Sequence, residues 1–343
     1  MNSLHGEEVC TNLPRCFLNN PNFVTLANTM HCNMKKKLLT LLFSLGTMIL
    51  TAQGFQMPAG PGEGSYSRSW RDVNYASDGM ESHNMDIYLP KEQKNKCQAI
   101  IVIYGSAWFS NNAKAMASAS IGTPLLNAGY AAISINHRSS TEAIWPAQIQ
   151  DVKAAIRYVR ANAARYDIDP SFIGITGFSS GGHLATFAGV TNGVKTLTAG
   201  DVTVDIEGTV GDYLSAGSHV DAVVDWFGPV DMARMSNCEA PNDASSPEAV
   251  LIGKKDPRHE PDWVKLISPI NFVDEDDPKI LIIHGDADNV VPHCQSLYLK
   301  TAYDRAGVEA IFISVPDGGH GPGCFDAQYF QKMTDFFTIQ SSN

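Results

Sequence analysis

Apolar residues follow two spacings along this chain, and the changes from one to the other mark out its elements. Residues 84–89 and 99–104 read as strands. The second (AIIVIY) is almost wholly apolar and so is expected inside a sheet rather than at its edge. Residues 129–136 repeat that pattern. Between 149 and 165 the spacing changes: Ile149, Val152, Ile156 and Val159 fall three or four apart, one stripe along a helix that must stop before Asp169-Pro170. Residues 172–176 give the next strand, followed by a helix from about Gly181. Further strands are expected at 221–227, 279–284 and 310–315, with helices near 295–306 and 327–338. Strands alternating with helical patterns predict an α/β fold with a mostly parallel central sheet and helices on both faces. Residues 190–218 and 231–262, rich in Gly, Asp, Ser and Pro, are expected as loop insertions forming a small cap above the sheet, not as a second domain.

The N-terminal region follows neither spacing. Met34 precedes Lys35, Lys36 and Lys37, then the apolar run LLTLLFSLGTMILTA, then Ala52-Gln53-Gly54 with small residues at the −3 and −1 positions of a cleavage site. This is the pattern of a secretory signal peptide over residues 34–54. The run is shorter than the roughly 20 residues a membrane-spanning helix needs, and no cysteine follows it where bacterial lipidation would require one. Residues 1–33 are polar and irregular, an unusual leader for an export signal, so they read as an upstream extension with translation starting at Met34. The expectation is a single catalytic domain over 55–343, secreted or periplasmic, with no stable membrane association after cleavage.

Of the 343 residues, 44% are hydrophobic and 18% charged, enough to bury a substantial core in one domain. The formal net charge of −11 argues against a nucleic-acid or anionic-membrane partner, which needs a basic surface. Four cysteines follow the export signal: Cys97, Cys238, Cys294 and Cys324. An even number in an exported chain is compatible with disulfides, in any of three pairings.

One stretch calls for a chemical reading. In ITGFSSGGHLA, residues 175–185, a β-branched run stops at a serine flanked by glycines and then passes into helix-forming residues. A serine hydroxyl is a poor nucleophile unless it is exposed, held against a base and placed beside donors for an oxyanion. A sharp strand-to-helix turn at Gly177-Phe178-Ser179-Ser180-Gly181 meets the first need, with Ser179 at its tip. The strand at 279–284 runs into GDADNVVP, offering Asp286 and Asp288, and the strand at 310–315 runs into a glycine-rich loop holding His320. An imidazole takes the serine proton well only when its other nitrogen donates to a carboxylate. The second oxyanion donor, beside the Ser180 N–H, is expected in the loop after the strand at 99–104, with Ser106 first and Ala107 next. Trp108 and Trp226 are candidates for a substrate pocket, with core packing the plain alternative. His137, His183 and His284 read as structural, Arg138 and Asp151 as an ion pair between sheet and helix. No pair of His, Cys or carboxylate residues has metal-ligand spacing, so no metal is expected.

At these residues the chain resembles the α/β-hydrolase superfamily, whose members carry Ser, Asp and His in that order. More narrowly, it resembles the bacterial carbohydrate-esterase-like group that includes feruloyl and acetylxylan esterases. The resemblance spans roughly 84–337 and rests on YGSAW, NHRSS, GFSSGGHLA, VVDWFGPVD, SPINFV, HGDADNVVP and GGHG. It implies the α/β-hydrolase fold, Asp288 rather than Asp286 as the acid, an acylated sugar ester as substrate and no cofactor. One departure stands out: the family's oxyanion loop commonly reads HGGxW, where this chain has Tyr104 for the histidine and Ser106 for the second glycine. Loops that converge on one site would also bring Cys294 to Cys324 as a disulfide. The expected protein is a secreted serine carboxylesterase acting on acetyl or feruloyl esters of plant-derived polysaccharides or oligosaccharides through Ser179, His320 and Asp288. An amidase or exopeptidase, or a non-catalytic binding protein on the same fold, is the alternative.

Overall fold

Alternate residues of each central strand point to opposite faces, and this divides the core in two. In the computed structural model, which describes residues 60–342 apart from 63 and 94, Ile101 and Ile103 join one buried cluster while Ile100 and Val102 join the other. These residues lie on β3 (Cys97–Ile103), which pairs in parallel with β4 (Ala131–Ile135) and β5 (Ile168–Phe178). Parallel pairing continues through β8 (Ala222–Trp226), β9 (Ile280–Gly285) and β10 (Ala310–Val315). At the other edge β1 (Tyr66–Asn74) and β2 (Asn84–Pro90) run antiparallel, completing an eight-stranded sheet of order β1-β2-β4-β3-β5-β8-β9-β10.

Helices cover both faces. The first cluster is closed by α3 (Ala147–Ala161), α4 (Ser180–Gly189) and α7 (Cys294–Ala306), through Ile149, Val152, Leu184 and Leu299. The second is closed by α8 (Ala327–Ser341) and by a helical run made of α1 (Lys114–Ala117), a π-helical turn (Ser118–Gly122) and α2 (Thr123–Asn127). The mostly parallel α/β architecture is therefore as expected. Arg138 and Asp151 form the anticipated ion pair: the guanidinium NH2 lies 2.7 Å from Oδ1, and the Arg138 backbone N–H donates to Oδ2 at 2.8 Å. This ties the segment after β4 to the second turn of α3.

Several elements differ from the sequence expectation. β5 starts at Ile168, before Pro170, because an irregularity in its register with β3 between Cys97 and Ala99 absorbs the extra residues. The segment 190–218 holds a hairpin, β6 (Thr196–Ala199) and β7 (Val202–Asp205), packed against the helix Pro261–Leu266 of the second insertion and hydrogen-bonded to α3. Gln150 Nε2 donates to the Asp205 carbonyl, and Arg157 pairs with Glu207. The second insertion carries the short helices α5 (Pro247–Leu251) and α6 (Pro261–Leu266) and meets the segment after β4, where the Trp145 N–H donates to Leu251 O at 2.9 Å.

The disulfide expectation is corrected. Cys294 pairs with Cys238, 56 residues earlier, and not with Cys324. The insertion after β8 folds back onto the start of α7 and brings Cys238 there, while the Cys324 thiol is buried and lies 3.6 Å from Gly319 O in its own loop. The expected upstream extension (1–33) and export signal (34–54) lie outside the described residues. Among the described residues no helix is long and apolar enough to cross a membrane.

Candidate active site

Ser179 sits where β5 ends and α4 begins, and its backbone is held at φ 56°, ψ −127°, outside the regions that L-residues favour. The strain is fixed from both sides. The Ser179 N–H donates to Trp226 O at 2.9 Å, and its carbonyl accepts from the His183 N–H at 3.0 Å. The turn needs glycine at 177 and 181: a Cβ at Gly177 would meet Gly181 O at 2.3 Å, and one at Gly181 would meet Ile103 O at 2.3 Å. Two strands and the helix start are thus drawn to the minimum separation, leaving the serine side chain at the crest.

The structure brings His320 and Asp288 to this serine. His320, in the loop after β10, has Nε2 3.0 Å from Ser179 Oγ and Nδ1 2.7 Å from Asp288 Oδ2. With Nδ1–H donating to the carboxylate, Nε2 is free to accept the hydroxyl proton. Asp288 is fully buried at its side chain, and its Oδ1 accepts the N–H groups of Val290 and Val291 at 2.8 and 3.0 Å. Burial alone would raise its pKa; hydrogen bonds from His284, His320 and Val290 outweigh that and hold the carboxyl well below the usual carboxylate range. The neighbouring Asp286 has a different task. Its Oδ1 accepts the Asp317 N–H at 2.7 Å, joining the loop after β9 to the loop after β10.

The expected oxyanion donors divide. The Ser180 N–H belongs to the first turn of α4, where backbone donors have no partner within the helix. The Ser106 N–H, the first expectation for the second donor, is instead taken by Ser180 Oγ at 2.9 Å. The next residue, Ala107, has a left-handed backbone (φ 50°), and its N–H makes no hydrogen bond among the described residues. A donor already committed is a poor one, which leaves Ala107. The loop reaches the serine because residue 105 is glycine: a Cβ there would lie 2.6 Å from Phe178 O and 2.7 Å from Ser179 Cβ.

Neither tryptophan lines an open pocket, and core packing is the correct reading of both. Trp226 is fully buried, its indole N–H donating to Thr176 Oγ1 at 3.1 Å and its ring packed on Phe325 and Phe330. Trp108 is 2% exposed and donates to His183 Nδ1 at 3.2 Å. The three other histidines are buried with hydrogen-bonded rings, as expected: His284 to Ser296 Oγ and Val291 O, His183 to Trp108 and Ile267 O, His137 to Arg138 O. Sequence reasoning missed Phe227, whose ring meets the His320 imidazole edge-on with centroids 4.7 Å apart. Its φ of 44° is strained for a phenylalanine, and only this positive φ after β8, invisible in the residue pattern, points to it. A cavity of about 890 Å³ between α7 and residues 270–275 contains none of the Ser179, His320 or Asp288 side chains.

Comparison with known proteins places this geometry among relatives. Residues 85–303 match the BD-FAE family model. Esterase LipQ of Mycobacterium tuberculosis is 29% identical over 74% of this chain and 58% of its own length; Esterase LipC of the same organism is 30% identical over 73% and 59%. The chain thus spans rather less than two thirds of these curated relatives. Among solved structures, a truncated form of a carbohydrate esterase from gut microbiota is 82% identical with a TM-score of 0.82, covering 83% of this chain and all of that one. A bifunctional GH43-CE protein of Bacteroides eggerthii is 54% identical with a TM-score of 0.78, over 80% of this chain and 35% of that one.

Proposed function

Since the chain belongs to the BD-FAE family of α/β-hydrolases, we propose that it is a serine carboxylesterase that removes acetyl or feruloyl groups from plant-derived polysaccharides or oligosaccharides. The observation that carries this reading is the continuous hydrogen-bonded chain from Ser179 Oγ through the His320 imidazole to the buried Asp288 carboxylate. Ser179 Oγ attacks the ester carbonyl as His320 Nε2 takes its proton. The imidazolium so formed is stabilised by Asp288, which needs no proton of its own. The tetrahedral oxyanion sits on the N–H groups of Ser180 and Ala107. His320 then protonates the leaving alcohol and, in the second half-reaction, activates the water that releases the acid.

The acylated-sugar substrate is supported by the relatives named as carbohydrate esterases. Export is supported by the signal pattern at 34–54. Ser179→Ala is expected to abolish hydrolysis of 4-nitrophenyl acetate with the fold intact, and a fluorophosphonate probe to label Ser179 in the parent. Turnover of acetylated and feruloylated xylo-oligosaccharides, compared with simple aryl esters, then identifies the acyl group. Undiminished hydrolysis by Ser179→Ala ends the proposal.

A further inference from the structure

The loop that carries the Ala107 N–H leaves β3 and passes through the left-handed region twice, at Ala107 (φ 50°) and Trp108 (φ 61°). Non-glycine residues keep such conformations only where their surroundings over-determine them. Three contacts do so here. The Phe109 N–H donates to Ser106 O at 3.0 Å, the Ser140 N–H donates to Trp108 O at 2.8 Å, and the Trp108 indole N–H donates to His183 Nδ1 at 3.2 Å.

The third contact reaches across the site. His183 lies on the first turn of α4, its own N–H bonded to Ser179 O at 3.0 Å, and its Nε2 donates to Ile267 O at 2.8 Å at the end of α6. That donation puts the proton on Nε2 and leaves Nδ1 bare to accept the indole. The ring is fully buried, and burial pushes its pKa down to about 4, so the neutral form persists at ordinary pH. One imidazole therefore joins three separate segments: the loop bearing the open N–H, the turn bearing the serine, and the second insertion.

We propose that His183 is a positioning residue, which through the Trp108 indole sets where the Ala107 N–H stands relative to Ser179 Oγ. The inference rests on the acyl-transfer reading above. A donor serves only within about 2.7–3.1 Å of the position the oxyanion will occupy. A small rotation of this loop therefore costs rate before it costs stability.

Three variants separate these effects. Trp108→Phe keeps an aromatic ring, smaller than the indole, and removes the indole donor; His183→Leu removes both nitrogens; His183→Gln keeps one acceptor and one donor. With 4-nitrophenyl acetate, Trp108→Phe is expected to lower kcat about 10- to 100-fold with KM changed less than about twofold, in an enzyme that has a lower Tm than the parent but is still folded at the assay temperature. His183→Leu falls at least as far, and the double variant is no worse than His183→Leu alone, because both cut one linkage. His183→Gln recovers most of the loss, which a role in packing alone does not predict. If His183→Leu fails to fold, Trp108→Phe and His183→Gln still decide the matter. A Trp108→Phe enzyme with the parent's kcat, or single losses that multiply in the double variant, overturns the inference. Activity lost in Ser179→Ala but intact in Trp108→Phe removes the positioning role alone, whereas activity intact in Ser179→Ala removes the acyl-transfer reading itself.

Discussion

Asp288 shows how much one side chain's surroundings decide. Its carboxyl is held low, so the stabilisation it contributes is complete above the unfolded value of about 3.9 and is lost only as pH falls through its lower folded value. It stays an anion across the range in which an imidazole ordinarily titrates, and an acid limb in kcat/KM between pH 5 and 7 therefore belongs to another group. Asp288→Asn is expected to lower kcat about 10⁴-fold near pH 7, by offering His320 the wrong hydrogen-bond polarity; a loss below tenfold in a stopped-flow ester assay would sink the role given to it. At this scale the serine and the histidine were legible, because each follows a strand and sits among glycines. The choice between Asp286 and Asp288 came only from the resemblance, since both lie in one loop and differ in which neighbour they reach. The sequence alone ranks Ser106 above Ala107 because nothing in it shows that the Ser180 hydroxyl holds the Ser106 N–H.

Among the elements, the expected strands lie within one or two residues of the observed ones, except at the start of β5, and β10 matches to the residue. Those missed are weakly marked. The helical run from Lys114 to Asn127 (KAMASASIGTPLLN) is built of small residues without a clear stripe, and it is closed by packing against β2 and β4 rather than by its own pattern. The hairpin β6/β7 did carry a signal: Leu197 and Ala199 alternate with polar neighbours on one side of Gly200-Asp201, and Val202 and Val204 do so on the other. β8 supplies an elemental prediction. Asp225, fully buried there, has Oδ1 accepting the Gly228 N–H and Oδ2 with no hydrogen-bond partner among the described residues. Burial raises its pKa to about 6, against the weaker opposing pull of Gly228 and His284. A carboxyl raised on folding stabilises fully below its unfolded value of about 3.9, and that contribution is lost as pH rises through about 6. Asp225→Asn should therefore gain on the parent by on the order of 2–3 kcal/mol between pH 4 and pH 7.5. Urea unfolding of both proteins at the two pH values measures this, and a constant difference would refute it.

Among the described residues, the eight-stranded sheet carries a cross-linked insertion. The bond from Cys238 to Cys294 closes a 56-residue separation and fastens the second insertion to α7. Cys238→Ser with Cys294→Ser is expected to lower unfolding free energy by about 2–4 kcal/mol, seen as a lower urea midpoint. Neither sulfur touches Ser179, His320 or Asp288, so kcat at 25 °C should stay at the parent's value; a large fall would mean that the bridge sets the acid loop. This pairing was illegible in the sequence because it depends on where a long irregular segment lands. The strand order has a consequence of its own. β10 is laid down at the sheet's rim, and the imidazole it carries lies 141 residues beyond the serine. At about 5–20 residues per second, a ribosome makes that imidazole on the order of ten seconds after the hydroxyl. Throughout that interval Ser179 lacks the His320 imidazole that stands 3.0 Å from its hydroxyl in the folded chain. The hydroxyl, imidazole and carboxylate stand together only once the loop after β10 is in place.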